Sequence, residues 1–262
     1  MGGVIGGRLG RLAGHGYAWF LDYVYVVSRQ AHSLLRPVDP TTYRDEAAPR
    51  APVVLLPGVY ERWQFMRPVA ALLHDLGHPV HVVTRLRWNV APVDASAELV
   101  TAYLQEHDLR GVVVVAHSKG GLIGKYVMTH QDPEDRIEQM VAISTPFRGS
   151  VYARFFLVPA VRAFSPSNRV LRLLGEEPRV NDRITSIWAE FDPHIPRGSH
   201  LEGATNVELP VRGHFRIMGR PELLEAVARA VARPVTPRAS PSPPAPPRAP
   251  GTPPETGRPA DR

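Results

Sequence analysis

Four valines in a row, Val112 to Val115, lead into Ala116-His117-Ser118-Lys119-Gly120-Gly121 and then Leu122 to Met128. No other stretch constrains the chain as much. An unbroken β-branched run reads as a strand buried on both faces, because a half-exposed strand would alternate. Leu122–Met128 reads as the body of a helix. Ser118 stands at the sharp turn between them, with Ala116 two residues before it and Gly120 two residues after. That is a nucleophile elbow, here AxSxG rather than GxSxG. The apex residue is held in a strained backbone conformation, and large side chains at either flank would strike the neighbouring strand and helix. Five residues alone are a weak signal; the strand-turn-helix setting gives them weight.

An elbow serine needs a base, an acid to orient the base, and donors for an oxyanion. Upstream, Pro52 to Leu56 is an apolar strand ending in the turn Pro57-Gly58-Val59-Tyr60. Such a turn presents backbone N–H groups, so the candidate oxyanion donors are the N–H of Val59 and that of Lys119, next after the serine. Downstream, Arg183 to Phe191 reads as a strand with Asp192 at its carboxyl end. Gly213-His214-Phe215 then precedes an amphipathic helix that starts at Pro221. The order Ser118, Asp192, His214 completes a catalytic triad. Asp182, Glu190 and Glu202 compete for the acid; Asp192 fits best, after a strand and before Pro193. His194 and His200 follow Asp192 too closely, which leaves His214 as the base. His117 reads as a structural part of the elbow. The Lys119 side chain reads as reaching solvent or packing on the elbow.

With these segments in hand, the chain resembles the α/β-hydrolase superfamily, and within it the lipase and esterase branch. The Ala116-His117-Ser118-Lys119-Gly120-Gly121 elbow is similar to that of the small Bacillus-type lipases. Ser144-Thr145-Pro146-Phe147-Arg148-Gly149 resembles a Ser-Thr-Pro-His-x-Gly segment of bacterial lipases, with Phe147 in place of the His. Pro57-Gly58 stands where many lipases have His-Gly. The stretch from Asp192 through Leu201–Val207 to His214 is similar to the acid-to-His region of the same enzymes. The resemblance spans about residues 50–232. It implies an α/β fold, a mostly parallel sheet with helices on both faces and a small helical cap.

The rest of the chain agrees with one such domain. After Val53–Leu56, helical and strand patterns alternate: Trp63–Leu76, His78–Thr84, Ala95–Glu106, Gly111–Ala116, Leu122–His130 and Gln139–Ser144. Alternation of this kind gives a parallel sheet, with ligands bound beyond the carboxyl ends of the strands. Every candidate catalytic residue falls at such an end. With 262 residues and 44% hydrophobic content, the chain has room for one such domain and a tail. No cysteine is present, which excludes thiolate nucleophiles and disulfides. Net charge is +6, carried by scattered arginines with no nucleic-acid-binding motif, so a nucleic-acid partner is not expected.

Three segments lie outside this frame. Residues 1–35 read as an N-terminal apolar helix. Its core, Tyr17 to Val27, is too short to span a bilayer, is broken by Asp22 and lacks a signal-peptide cleavage site. It either packs on the domain or lies in a membrane interface through residues 17–27, or it is a core helix of an extended fold. The location expected is the cytoplasm, with or without membrane association. Residues 36–232 form the hydrolase domain. Within it, 151–180 is a cap or an ordinary crossover, and Phe155 and Phe156, with Tyr60, are candidate substrate-pocket residues. Residues 233–262 are rich in Pro, Ala and Arg and read as a disordered tail.

The chemistry needs no cofactor and no metal. The first expectation is hydrolysis of small carboxylic esters with a lipophilic acyl group through an acyl-enzyme. A thioesterase, amidase or acyltransferase would use the same triad, and a catalytically silent binding protein would keep the fold. Ser118 argues against epoxide hydrolysis and dehalogenation, which place an Asp at the nucleophile position.

Overall fold

The computed structural model describes residues 2–150 and 164–234. Six strands form one sheet: β1 Val53–Leu56, β2 Val80–Val82, β3 Val112–His117, β4 Ile137–Ile143, β5 Ile184–Phe191 and β6 Thr205–Arg212. Their order across the sheet is β2-β1-β3-β4-β5-β6, and every neighbouring pair is parallel. The chain winds outward from β1 to β2, then returns to place β3 on the other flank of β1. Loops diverge where the winding reverses, and a crevice opens beyond the strand ends.

The valine run is buried throughout because both faces of β3 are covered. Val112, Val114 and Ala116 face the core under α3 (Val93–Glu106), α4 (Lys119–Tyr126) and α5 (Arg169–Gly175). Val113 and Val115 face the opposite core under α2 (Arg67–Asp75) and α6 (Pro221–Val231). Both α2, at Pro68, and α6, at Pro221, carry a proline in the first turn, where its fixed φ and missing N–H are suited.

Several boundaries differ from the sequence pattern. The helix expected over Trp63–Leu76 starts as a 3-10 turn, Trp63–Met66, and is α-helical only from Arg67 to Asp75. The strand expected to Thr84 ends at Val82, because Thr84–Leu86 coils into a 3-10 turn. The elbow helix begins at Lys119 and passes into a π-helical turn at Val127–Gln131. Within that turn the Thr129 hydroxyl donates to the Lys125 carbonyl at 2.8 Å. Of the expected cap, α5 lies within the described residues; residues 151–163, and with them Phe155 and Phe156, lie outside. So does the tail from residue 235.

The N-terminal segment forms α1, Gly2–Leu35. It lies on the domain: Ala18 and Asp22 are buried, and Tyr25 and Val26 pack against the core on the α2 and α6 side. Among the described residues, no helix is long and apolar enough to cross a membrane.

Candidate active site

Ser118 links β3 to α4 with φ 50° and ψ −117°, a region that L residues rarely occupy. The surroundings impose this. The Ser118 N–H donates to the Ile143 carbonyl at the end of β4 at 2.8 Å, and the Ser118 carbonyl accepts the Gly121 N–H at 3.1 Å. Two residues on, a Cβ at Gly120 would lie 2.1 Å from the Leu56 carbonyl oxygen. The elbow helix therefore approaches β1 so closely that only glycine fits there. Holding a non-glycine residue at such angles costs about 1–3 kcal/mol, and in return the side chain stands clear of the sheet end.

His214 and Asp192 come to the same point. Asp192 follows β5 directly and His214 follows β6, so neighbouring parallel strands deliver acid and base to one edge of the crevice. His214 Nε2 lies 3.0 Å from Ser118 Oγ, and its Nδ1 lies 2.7 Å from Asp192 Oδ2. The other Asp192 oxygen, Oδ1, accepts the N–H groups of His194 and Ile195 at 2.8 and 2.9 Å. All three side chains are buried.

Burial alone would strip the proton from His214. The Asp192 carboxylate outweighs it and holds His214 above the ordinary imidazole value, with Asp22 and Glu61 acting in the same sense. Burial pushes the Asp192 carboxyl up, but the His214 charge and hydrogen bond win and hold it below the usual carboxylate range. The competing groups stand elsewhere. Asp182 lies in a turn at the opening end of β5, Glu190 pairs with Arg212, and Glu202 and His200 are exposed. His194 reaches the site from the side, 5.0 Å from the His214 ring; burial first, then the His214 charge, push it down to about 3.

A cavity of about 570 Å³ opens over Ser118 and His214, with Val59 and Tyr60 on one wall and Trp19 and Tyr23 of α1 on another. Tyr60 has a φ of 59° and lines this cavity. Val59 lies in the loop beyond β1. Lys119 is the first residue of α4, so its N–H has no carbonyl a turn earlier to bond.

A family model described as the PGAP1-like alpha/beta domain matches residues 93–157, a span that holds α3, β3, the elbow and β4. Mature Bacillus licheniformis lipase BlEst2 is similar in structure, with a TM-score of 0.57 and 15% identity over 74% of this chain and 96% of that one. A structure from the study of LipS and LipT, two metagenome-derived lipolytic enzymes, matches with a TM-score of 0.53 and 18% identity over 70% and 94%. An extracellular alpha/beta-hydrolase from a Paenibacillus species matches at 0.50 and 17% over 69% and 99%. The chain has the α/β-hydrolase fold. No curated protein matches it in sequence.

Around this hydrolase-fold crevice stand groups that motif reading missed. Glu61 is buried, and its Oε2 accepts the Gly58 N–H at 2.7 Å, which shapes the turn before Val59. His117 Nδ1 lies 2.9 Å from the Glu61 carboxylate, and its Nε2 faces the His214 carbonyl at 3.1 Å. His117 thus bridges the Glu61 carboxylate and the His214 backbone. The Lys119 side chain is also buried, its Nζ donating to the carbonyls of Asn89 and Ala91. Burial pushes its ammonium down to about 8. Asp22 of α1 reaches the His214 loop from the opposite side. An acid three residues beyond Pro57-Gly58 is a weak signal for Glu61. For Asp22 the only trace is a carboxylate inside an apolar helix, which requires a partner when buried.

Proposed function

We propose that the chain is a serine hydrolase that cleaves carboxylic esters with a lipophilic acyl group through an acyl-enzyme. One observation carries the reading: Ser118, His214 and Asp192 form a continuous relay of 3.0 and 2.7 Å at the carboxyl ends of β3, β5 and β6. A serine hydroxyl is a weak nucleophile on its own. In the proposed reaction His214 Nε2 takes the Ser118 proton as Oγ bonds to the ester carbonyl carbon. Asp192 keeps the imidazole oriented and favours its cationic form. The carbonyl oxygen, now an oxyanion, is met by the N–H groups of Val59 and Lys119, each contributing about 3 kcal/mol. Collapse breaks the bond to the alkoxide, which leaves with the proton from His214. Water, deprotonated by His214, then attacks the acyl-enzyme and frees the acid and Ser118.

The walls of the cavity favour a lipophilic substrate: Trp19, Tyr23, Val26, Phe164, Ile195 and Phe215 present apolar surface toward it. The lipolytic enzymes of similar fold support the same class. Residues 17–27 are read as a peripheral membrane contact, supported by an outward row of Tyr17, Phe20, Val24 and Val27 that is half to two-thirds exposed.

The test is labelling with a fluorophosphonate, which requires an activated hydroxyl, followed by peptide mapping. Label on Ser118 alone is expected; label elsewhere, or none, overturns the assignment. A series of p-nitrophenyl esters from acetate to palmitate then reads the acyl preference, with kcat/KM expected to rise beyond acetate.

A further inference from the structure

Asp22 belongs to α1, 192 residues before His214, yet it is 0% exposed and lies directly against the His214 loop. Its carboxylate accepts three consecutive backbone N–H groups. Oδ2 takes that of His214 at 3.0 Å, and Oδ1 takes those of Phe215 and Arg216, both at 2.8 Å. Gly213, just before them, has φ 111°, and a Cβ there would lie 2.5 Å from Asp22 Oδ1. The loop is thus shaped around a carboxylate: successive N–H groups converge on it, and a glycine lets it come close. On the far side His117 Nε2 bonds the His214 carbonyl at 3.1 Å. Both backbone polar groups of His214 are therefore fixed, one by Asp22 and one by His117, while its ring spans Asp192 and Ser118.

Resting on the serine-hydrolase reading, we propose that Asp22 is a positioning residue for the reaction. It sets the His214 backbone so that the ring meets Ser118 and Asp192 together, and its anion favours the imidazolium formed when Ser118 gives up its proton. Asp22 does not touch the reacting atoms. Burial pushes its carboxyl above the usual carboxylate range, and the three N–H donors and His214 offset only part of that rise. The titratable groups facing His214 are Asp192 beyond β5, Asp22 on α1, Glu61 after β1, His117 at the end of β3 and His194 after Asp192. Asp22 is unlike the others in acting from outside the α/β domain. The N-terminal helix is on this account part of the active site, since it supplies the clamp as well as the Trp19 and Tyr23 wall.

Asp22→Asn and Asp22→Ser are made together, so that a folding failure of one leaves the other. Asn keeps the size but removes the charge, and depending on how it turns its amide, one or two of the three N–H groups lose their acceptor. With p-nitrophenyl butyrate, kcat is expected to fall about 10- to 100-fold with KM within about twofold, as displacement of a catalytic group by a fraction of an ångström does. The acid limb of kcat/KM is expected to move to lower pH, because a lost anion no longer favours protonated His214. A structural role alone would lower the melting temperature and leave that limb in place. The low-field proton resonance of the His214–Asp192 bond gives a readout without turnover, and it is expected to shift in Asp22→Asn. Folded variants with wild-type kcat, acid limb and resonance overturn this proposal alone. A wild-type protein that neither hydrolyses the ester nor labels at Ser118 overturns the serine-hydrolase reading and this proposal with it.

Discussion

Ser118 is held by its own neighbourhood: the strand before it, the helix after it, the Ile143 carbonyl on the next strand and the gap left by Gly120. His214 is held by Asp22, His117 and Asp192, which lie 192, 97 and 22 residues away along the chain. One half of the relay is a short continuous segment braced by the strands on either side of it. The other half exists only when four separate segments have closed on one another. The elbow therefore fails all at once if it fails, whereas the His214 loop has several supports whose loss is graded.

The sharpest way to probe the elbow half is to remove its hydroxyl. Ser118→Ala is expected to lower ester turnover by about 10⁶-fold, to abolish phosphonate labelling and to leave the melting temperature within a few degrees, since the backbone supports remain. His214→Ala is expected to cost nearly as much, and the double variant little more than either alone, because members of one catalytic unit are not additive. Full additivity in that cycle would show that the two halves do not act together.

Asp192→Asn tests the junction between the halves. Loss of the orienting anion is expected to lower kcat by about 10⁴-fold. The sign of the pH effect follows from the cause. His214 is held above its ordinary pKa by Asp192 against the pull of burial, and only its neutral form is a base, so wild-type kcat/KM falls as pH drops through that raised pKa. Without Asp192 the pKa falls and the acid limb moves to lower pH. If Asp192→Asn keeps near-wild-type turnover while Asp182→Asn or Glu202→Gln loses it, the acid has been assigned to the wrong residue.

The same contrast explains what could be read from the amino-acid order. The valine run, the small flanks of Ser118 and the spacing to Asp192 and His214 are local signals, and the parallel sheet follows from the alternation they sit in. Helix ends are less legible: the elbow helix passes into a π-helical turn at Val127–Gln131 that the 3.6-residue periodicity does not encode. Asp22 was legible only as an interruption. Nothing near it in sequence says that three N–H groups from residues 214–216 will meet it, since that depends on how α1 lies on the finished domain. Glu61 is similar: its partners Gly58 and His117 come from β1 and β3, which pair only in the sheet.

Glu61 sharpens the comparison because it serves both halves, shaping the Gly58–Val59 turn and bracing His117 behind His214. Glu61 Oε2 meets both the Gly58 N–H and His117 Nδ1, so Glu61→Gln can keep that shared oxygen while it removes the charge and puts an amide NH₂ in place of Oε1. Weakening the hydrogen bonds of a buried polar group costs about 1–3 kcal/mol of stability. The expected outcome is a clear fall in melting temperature with about a 10-fold loss of kcat, far less than for Asp192→Asn. Unchanged stability and turnover would remove Glu61 from the account.

The smallest effect on chemistry is expected on the outer face of α1, and it separates the two faces of one helix. Ala18 and Asp22 are buried, whereas Tyr17, Phe20, Val24 and Val27 are 64, 63, 47 and 65% exposed. Steps of three and four residues place these four side chains on one stripe along the helix. A stripe of this kind gains from entering an apolar medium, about 25 cal/mol per Å² of surface removed from water. The chain's net charge of +6 adds attraction to an anionic surface. Phe20→Glu combined with Val24→Glu leaves Asp22 and the cavity wall untouched, so turnover of a water-soluble ester is expected to stay within about twofold of wild type. Co-sedimentation with vesicles containing phosphatidylserine is expected for the wild type and to be lost in the double variant. Wild-type protein that stays in the supernatant, or a double variant that pellets equally well, would break the assignment of the outer face to a membrane. The inner face, tested through Asp22, would stand or fall on its own kinetics.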